Sequence, residues 1–281
     1  MKKRPDVTRR IWLCADDYGM APGVSRGIRE LIENGRLNAT SVMVVSPHLS
    51  ADEVTALQKL NAKDKRAAIG LHVTLTGPFK PMSAGFTPTR DGAFLPLSDM
   101  MRSALARRLR PDALAVEIAR QLEAFQQMFG ALPDFVDGHQ HVQLFPQVRD
   151  AFIKTVAEIA PNAWVRQGGR ANSLRRLHDR KALVLDILSM AFRRRADRQG
   201  LATNPAFAGA YDFSPKADFA AIFPRFLTGL PDGGLIMCHP GFVDAELQAL
   251  DPLTTLREHE FAYFSSDAFP RTLAEHGAAL A

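Results

Sequence analysis

Short apolar runs alternate along the chain with longer segments in which apolar residues recur at helical spacing. The runs that predict strands are Ile11–Ala15, Ala39–Val45, Ala67–Thr74, Phe135–His141, Ala163–Arg166 and Gly234–His239. The segments that predict helices are Gly23–Asn34, Leu49–Leu60, Ala113–Phe129, Pro146–Ile159, Leu253–Tyr263 and Asp267–His276. Because successive parallel strands are joined by helical crossovers, this alternation predicts an α/β fold with a parallel sheet or a β/α barrel.

Two further features concern the organisation of the chain. The region Gly77–Pro96 is dense in proline, glycine and threonine, and a loop of this length is typical of a functional element. No internal repeat, low-complexity tract or linker interrupts the pattern, so the sequence predicts one domain over residues 1–281. Exposed apolar faces on the two C-terminal helices would permit a homodimer.

Composition narrows the class of protein. Apolar residues make up 46% of the 281 residues and charged residues 23%, which is typical of a globular chain and excludes intrinsic disorder. The net charge is +5, and much of the basic excess lies between Arg166 and Arg198. We interpret this segment as a solvated basic helical surface, with an anion-attracting rim as the alternative, and we expect no nucleic-acid partner.

The cysteines and the N-terminus bear on the compartment. Cys14 and Cys238 each lie inside an apolar run, which predicts buried thiols in a reducing compartment rather than a disulfide framework. No apolar stretch approaches the roughly 20 residues needed to span a bilayer. No long apolar segment follows the basic N-terminus, so we expect no signal peptide and a cytoplasmic protein.

Four of the predicted strands end in polar side chains capable of chemistry. These side chains are Asp16 and Asp17, His72, His139 and His141, and His239. In parallel α/β folds the carboxyl ends of the strands meet, and active sites form there. We therefore expect side chains that are far apart in the sequence to converge.

Each of these signals also has a plain structural interpretation. A pair of aspartates could cap a helix, although the next predicted helix begins several residues later. A single histidine in an apolar strand, such as His72 or His239, is often a core residue. His139 and His141 would share one face of a strand, and Asp137, which has the same parity, could orient an imidazole.

Taken together, the signals indicate a catalytic metal centre. One carboxylate and two imidazoles leave open coordination positions, which distinguishes a catalytic site from a closed structural one. A metal ion in such a site acidifies a bound water and polarises a carbonyl group. A second carboxylate beside the ligands could act as a general base, and a spare histidine could protonate a leaving amine. These parts suit the hydrolysis of an amide.

The motifs that carry these residues resemble those of a known family, the YdjC-like carbohydrate deacetylases. The motifs are ADDYGM (Ala15–Met20), GLHVTLTG (Gly70–Gly77), VDGHQHVQLFP (Val136–Pro146) and CHPGF (Cys238–Phe242), and they occur in the family's order over most of the chain. The resemblance implies a β/α-barrel-like, distorted TIM-like deacetylase fold. It also implies removal of the acetyl group from an N-acetylated sugar, such as a chitooligosaccharide, with one divalent metal ion.

The resemblance also implies roles for individual residues. Asp17, His72 and His139 match the metal ligands, and Asp16 matches the catalytic base. His239 matches a late histidine that helps with proton transfer or holds the oxyanion. An Asp-His-His set suits Zn²⁺, Fe²⁺, Co²⁺ or Ni²⁺. The family has often been assigned Mg²⁺, for which imidazole is a poor ligand.

Further residues are expected to contact the substrate or to support the base. His141 is the alternative proton donor to the amine, Arg166 would orient Asp16 or bind the sugar, and Tyr18 and Phe242 could stack on a sugar ring. Two other functions stay open: a non-catalytic carbohydrate- or nucleic-acid-binding protein that retains the site, and a non-haem iron oxygenase. The sequence does not specify the sugar or the position of its acetyl group.

Overall fold

In the computed structural model the first strand lies inside a parallel sheet. The structure describes residues 8–171, 180–214 and 217–281, with backbone only for 180–182. The strands are β1 (Arg9–Tyr18), β2 (Ala39–Val42), β3 (Ala68–Val73), β4 (Thr89–Arg90), β5 (Ala93–Phe94), β6 (Phe135–Gly138), β7 (Trp164–Val165), β8 (Phe207–Ala208), β9 (Leu235–Cys238) and β10 (Ala278–Leu280). The main sheet has the order β7-β6-β3-β2-β1-β9-β8, and β10 pairs with the start of β1.

Helices follow most of the strands, as the alternation predicted. They are α1 (Pro22–Glu33), α2 (Ala51–Leu60), α3 (Leu97–Leu105), α4 (Pro111–Phe129), α5 (Val148–Ile159), α6 (Arg180–Arg198), α7 (Phe219–Leu227), α8 (Ala245–Leu250), α9 (Thr255–Ser265) and α10 (Ala268–Glu275), with a short 3-10 helix at His139–Leu144. Local sequence fixes several helix ends. Ser50 accepts a hydrogen bond from the backbone N–H of Glu53 and caps α2, and Gly130, at φ +68°, ends α4 in the left-handed region.

The strands of the main sheet are parallel, and the sheet curls into a half barrel that helices surround. A single parallel bridge joins Val165 of β7 to Thr203, which precedes β8, and so links the two edges of the sheet. The prediction of a β/α-barrel-like fold is therefore confirmed. Because the strands are parallel, β1, β3, β6 and β9 end on the same side of the sheet, where the polar motifs lie.

Three sequence predictions need correction. The fourth predicted strand ends at Gly138 and not at His141, because the chain turns into the 3-10 helix. The long loop contains a two-stranded hairpin of β4 and β5. Helices α3, α7 and α8 and strands β8 and β10 were not predicted. Part of the predicted basic surface, residues 172–179, lies outside the described residues.

The part of the basic segment that the structure describes has the solvated face that the sequence predicted. Arg193, Arg194 and Arg198 are exposed on α6, and Arg195 is paired with Asp150. Cys14 and Cys238 are both buried and free, as predicted. Within the described ranges, no helix combines the length and the apolar character that a membrane crossing requires.

Candidate active site

The end of β1 places two adjacent carboxylates in the interior. Asp16 and Asp17 are buried, and the pairing of β1 with β2 shifts register between Ala15 and Tyr18. Asp17 has φ +70°, which is uncommon for a residue other than glycine. This irregular backbone breaks the alternation of an extended strand. As a result, Asp16 and Asp17 both face polar partners from neighbouring strands.

Asp17 lies between two imidazoles. Its Oδ1 atom is 3.3 Å from Nε2 of His72 and 3.0 Å from Nδ1 of His139. The three potential ligand atoms lie within 4.8 Å of one another, and all three side chains are buried. One carboxylate and two imidazoles at this separation match the donors of a divalent transition metal, and they leave positions for water and substrate. The residues present therefore fit a metal ion.

Two of the three potential ligands, His72 and Asp17, are each held by a partner on the far side. Nδ1 of His72 donates to Oδ1 of Asp137 at 2.5 Å, which leaves Nε2 directed at Asp17. The register of β3 and β6 explains this contact, because His72 and Asp137 are direct cross-strand partners. Asp137 therefore orients an imidazole, as predicted, and that imidazole belongs to His72. Oδ2 of Asp17 accepts a hydrogen bond from Nη2 of Arg257 at 2.7 Å. Such outer contacts fix the orientation of metal ligands.

The electrostatics of this cluster favour a cation. Burial opposes the charged form of His72, but the carboxylates of Asp137 and Asp16 outweigh burial and raise its pKa to about 10. Burial would raise the pKa of Asp17, yet the charges of Arg257 and His139 hold it well below its usual value. The same negative charges that retain a proton on His72 would also favour a divalent cation, whose binding would require that proton to leave.

Asp16 is held by a buried arginine. Nη1 and Nη2 of Arg166 donate to the two carboxylate oxygens of Asp16 at 2.6 and 2.7 Å, and Nη1 lies 3.0 Å from Oδ2 of Asp137. Burial alone would raise the pKa of Asp16. The charge of Arg166 outweighs burial, and the pKa falls to about 2. Asp16 is therefore ionised at neutral pH. Arg166 is fully buried, which agrees with orienting Asp16 and not with a surface cation.

A second group of potential ligands, Cys14, Asp16 and Asp137, surrounds the same arginine. Nη1 of Arg166 contacts both carboxylates and lies 4.0 Å from the sulfur of Cys14. Burial and the charge of Asp16 raise the pKa of the Cys14 thiol well above its usual value, so the sulfur stays protonated. The guanidinium group already supplies the positive charge at this place, and we assign no metal to it.

Two more histidines lie near the cluster. His239 follows β9, its backbone N–H donates to Oε2 of Glu260 at 2.5 Å, and its buried Nδ1 has no hydrogen-bond partner among the described residues. Burial lowers the pKa of His239, so the imidazole is neutral. His141 packs against Phe207 at 5.4 Å between ring centroids, and burial together with the charge of Arg166 lowers its pKa to about 3.

The prediction that His139 and His141 share a strand face was wrong. Gln140 and His141 have φ of +55° and +59°, so the chain reverses direction immediately after His139. This turn lets His139 reach Asp17 while His141 lies against a different part of the sheet.

Comparison with known proteins agrees with this geometry. The model of the YdjC-like protein family matches residues 10–275. The chain belongs to the YdjC-like family. It is 29% identical over 242 residues to a chitooligosaccharide deacetylase of Citrobacter koseri, covering 85% of this chain and 84% of the relative. It is 26% identical over 268 residues to one of Proteus mirabilis, covering 94% of this chain and 93% of that relative.

Solved structures resemble the fold of this YdjC-like protein. A proposed cellobiose-phosphate cleavage protein from Enterococcus faecalis V583 superposes with a TM-score of 0.73 at 21% identity, covering 98% of this chain and 97% of that one. The peptidoglycan N-acetylglucosamine deacetylase Bc1960 gives a TM-score of 0.50 at 11% identity, with coverage of 99% and 87%. At these identities the likeness concerns the fold alone.

Two residues that were predicted to stack on a sugar lie elsewhere in the YdjC-like protein. Tyr18 is completely buried, and its hydroxyl donates to the backbone oxygen of Glu53 at 2.8 Å. The centroid of the Phe242 ring lies 4.4 Å from that of Phe261 and 4.7 Å from Cζ of Arg26, whose guanidinium group lies over the ring. A buried ring offers no face to a sugar, and the contacts of Phe242 are with α1 and α9. The burial of Tyr18 contradicts a stacking role for its ring, and the ring of Phe242, which is half-buried, is occupied by α1 and α9.

Helix α9 supplies functional partners that the sequence analysis missed. Arg257 bridges Asp17 and Asp251, with both contacts at 2.7 Å, and its backbone oxygen accepts from the N–H of Gly241. Glu260, one turn later, accepts the backbone N–H of His239. α9 therefore holds both a potential metal ligand and the loop that carries His239. In the sequence, LREHEF resembles an exposed polar helix, and no local signal identifies these two residues.

Proposed function

We propose that this YdjC-like protein is a metal-dependent carbohydrate deacetylase that hydrolyses the acetamide group of an N-acetylated sugar. The observation that carries the proposal is the convergence of Asp17, His72 and His139, whose ligand atoms lie within 4.8 Å of one another, beside a second carboxylate, that of the ionised Asp16. The relatives named chitooligosaccharide deacetylases support a chitooligosaccharide-like substrate.

Asp17, His72 and His139 would hold one divalent ion. When bound, the ion would acidify a water molecule and polarise the acetyl carbonyl. Two imidazoles favour Zn²⁺ or another transition metal over Mg²⁺, although Mg²⁺ is the ion often assigned to the family. Arg257 occupies the second oxygen of Asp17 and directs Oδ1 toward the imidazoles.

The remaining residues manage protons. Asp16 is next to the ligand Asp17, is ionised and is held in one orientation by two hydrogen bonds from Arg166, so it is placed to accept a proton from the attacking water. His239 is neutral because it is buried, so it must receive a proton before it can pass one to the leaving amine. Its Nδ1, which has no hydrogen-bond partner in the part of the chain that the structure describes, is the atom available for this exchange.

Acetate release from N-acetylglucosamine and its oligomers, with metal-loaded protein, tests the proposal. We expect Asp16→Asn to lower kcat by about 100-fold or more, because general-base catalysis contributes at least this factor. Asp64→Asn makes the same chemical change at an exposed position and should leave the rate unchanged. Circular dichroism checks that both variants are folded.

Two results would count against the proposal. One is the absence of acetate release from all of these sugars by metal-loaded protein that still binds them, which would favour a non-catalytic carbohydrate-binding protein. The other is full activity of Asp16→Asn. Oxygen uptake in place of acetate release would favour the oxygenase alternative.

A further inference from the structure

The segment that follows β8 passes along the side of the site where His239 lies. Tyr211 donates its hydroxyl hydrogen to Oε1 of Glu260 at 2.7 Å, and Glu260 holds the backbone of His239. Two residues later, the ring of Phe213 contacts the imidazole of His239, with 5.6 Å between ring centroids and an angle of 80° between the planes. This segment therefore carries an aromatic ring to the candidate proton donor.

Phe213 is unusual in its exposure. The side chain is 38% exposed, and among the exposed large apolar side chains of the described residues it alone is aromatic. The neighbouring aromatic rings form a cluster in which Phe219 is buried and Tyr211 and Phe226 are half-buried: Tyr211 contacts Phe219 and Phe226, with ring centroids 5.8 and 6.2 Å apart. Phe213 lies at the margin of this cluster, 4.4 Å from the ring of Tyr211. Part of its apolar surface is thus left uncovered beside a catalytic group.

The position of the ring is fixed from two sides. Tyr211 is anchored through Glu260 and through the aromatic cluster, and Phe213 packs against both Tyr211 and His239. A ring that is already held in place loses little conformational entropy when a ligand covers it. Ligand sites are typically lined by aromatic side chains together with a small number of polar groups, and Phe213 beside His239 has this composition.

The chemistry of a pyranose fits such a surface. A sugar ring presents C–H groups on its faces and hydroxyl groups around its edge, so a flat aromatic ring can cover a face while the edge keeps its hydrogen bonds. The reacting nitrogen is attached directly to a ring carbon. A group that protonates this nitrogen, and an aromatic ring in contact with that group, must both lie close to the same pyranose.

We propose that Phe213 is the aromatic platform of the sugar subsite and stacks on the pyranose that carries the reacting acetamide. The inference rests on the proposed deacetylase function and on the role of His239 in it. Phe213 replaces Tyr18 and Phe242, whose rings are buried or packed elsewhere. Since the platform contacts the reacting sugar itself, its contribution is the same for a monosaccharide and for an oligomer.

The test compares kcat and KM for acetate release from N-acetylglucosamine and from its dimer. We expect Phe213→Ala and Phe213→Leu to raise KM about tenfold, which corresponds to the loss of one aromatic stacking contact, and to change kcat much less. Phe213→Trp keeps a flat ring and should retain a KM close to that of the wild type. Leu105→Ala removes an exposed apolar side chain on α3 and serves as the matched control, with KM unchanged.

The outcomes are distinct. An unchanged KM in Phe213→Leu would overturn the inference, and so would a KM effect confined to the dimer, because that result places the ring at a neighbouring sugar. Failure of Phe213→Trp to restore the KM of the wild type would also contradict a stacking role. In each of these cases the wild type remains active. Absence of acetate release by the wild type would instead refute the proposed function.

Discussion

Glu260 gives the folded chain a pH dependence that can be worked out from the structure. Its side chain is buried under the loop that carries His239, and burial raises its pKa from 4.5 to about 7 despite hydrogen bonds from His239 and Tyr211. A carboxyl group with a higher pKa in the folded chain binds its proton more tightly there than in the unfolded chain. Its protonation therefore stabilises the fold below pH 4.5, and this stabilisation is lost as the pH rises through about 7.

The magnitude follows from the two pKa values. The interval from 4.5 to about 7, at about 1.4 kcal/mol per pH unit, corresponds to about 3 kcal/mol. Glu260→Gln keeps the shape of the side chain and removes its titration. The free energy of unfolding of the variant minus that of the wild type should therefore increase by about 3 kcal/mol between pH 4.5 and 7.

Urea titrations at a series of pH values, with the metal content held constant, measure this difference. Taking the difference removes the contributions of all groups that titrate equally in both proteins. Glu275→Gln, at an exposed position on α10, is the matched control and should give a difference that does not change with pH. A constant difference for Glu260→Gln over the same range would refute the reasoning.

Three further predictions concern the scaffold of the site. Arg166→Met leaves two buried carboxylates without their cation and should lower the free energy of unfolding by about 3–5 kcal/mol in a urea titration, where an unchanged midpoint would contradict it. Alanine is more favourable than glycine inside a helix by about 1 kcal/mol. Gly27→Ala should nevertheless lower the Tm, because the added Cβ would lie only 2.9 Å from Cα of Gly241. A higher Tm would contradict this. Asp137→Asn should weaken metal affinity about 10- to 100-fold in a chelator competition, because His72 loses its orienting carboxylate, and equal affinity would count against that role.

The parts of the fold that the sequence predicted are those with long, regular patterns. The strands that end near the site were recognised from apolar runs, and most helices from their spacing. β8 and β10 contain two and three residues, which is too short for a periodic pattern to show. α7 contains Pro224, a residue that ordinarily indicates the end of a helix.

The candidate site was predicted in the same uneven way. Side chains at strand ends, such as Asp17 and His72, could be predicted to converge because parallel topology alone brings strand ends together. Arg257 and Glu260 come from a helix, and only tertiary packing decides which helical face meets the site. The error at His141 arose because a strand pattern was continued past Gly138, where two residues in left-handed conformation end it.

The proposed function depends on Asp17, His72 and His139 sharing one divalent ion. Calorimetric titration of chelator-treated protein with Zn²⁺ tests this most directly, with His139→Ala compared against His276→Ala, which changes a histidine outside the cluster. We expect one ion per chain for the wild type and for His276→Ala, and at least about tenfold weaker binding for His139→Ala. Equal affinity in His139→Ala, or no binding by the wild type, would contradict it.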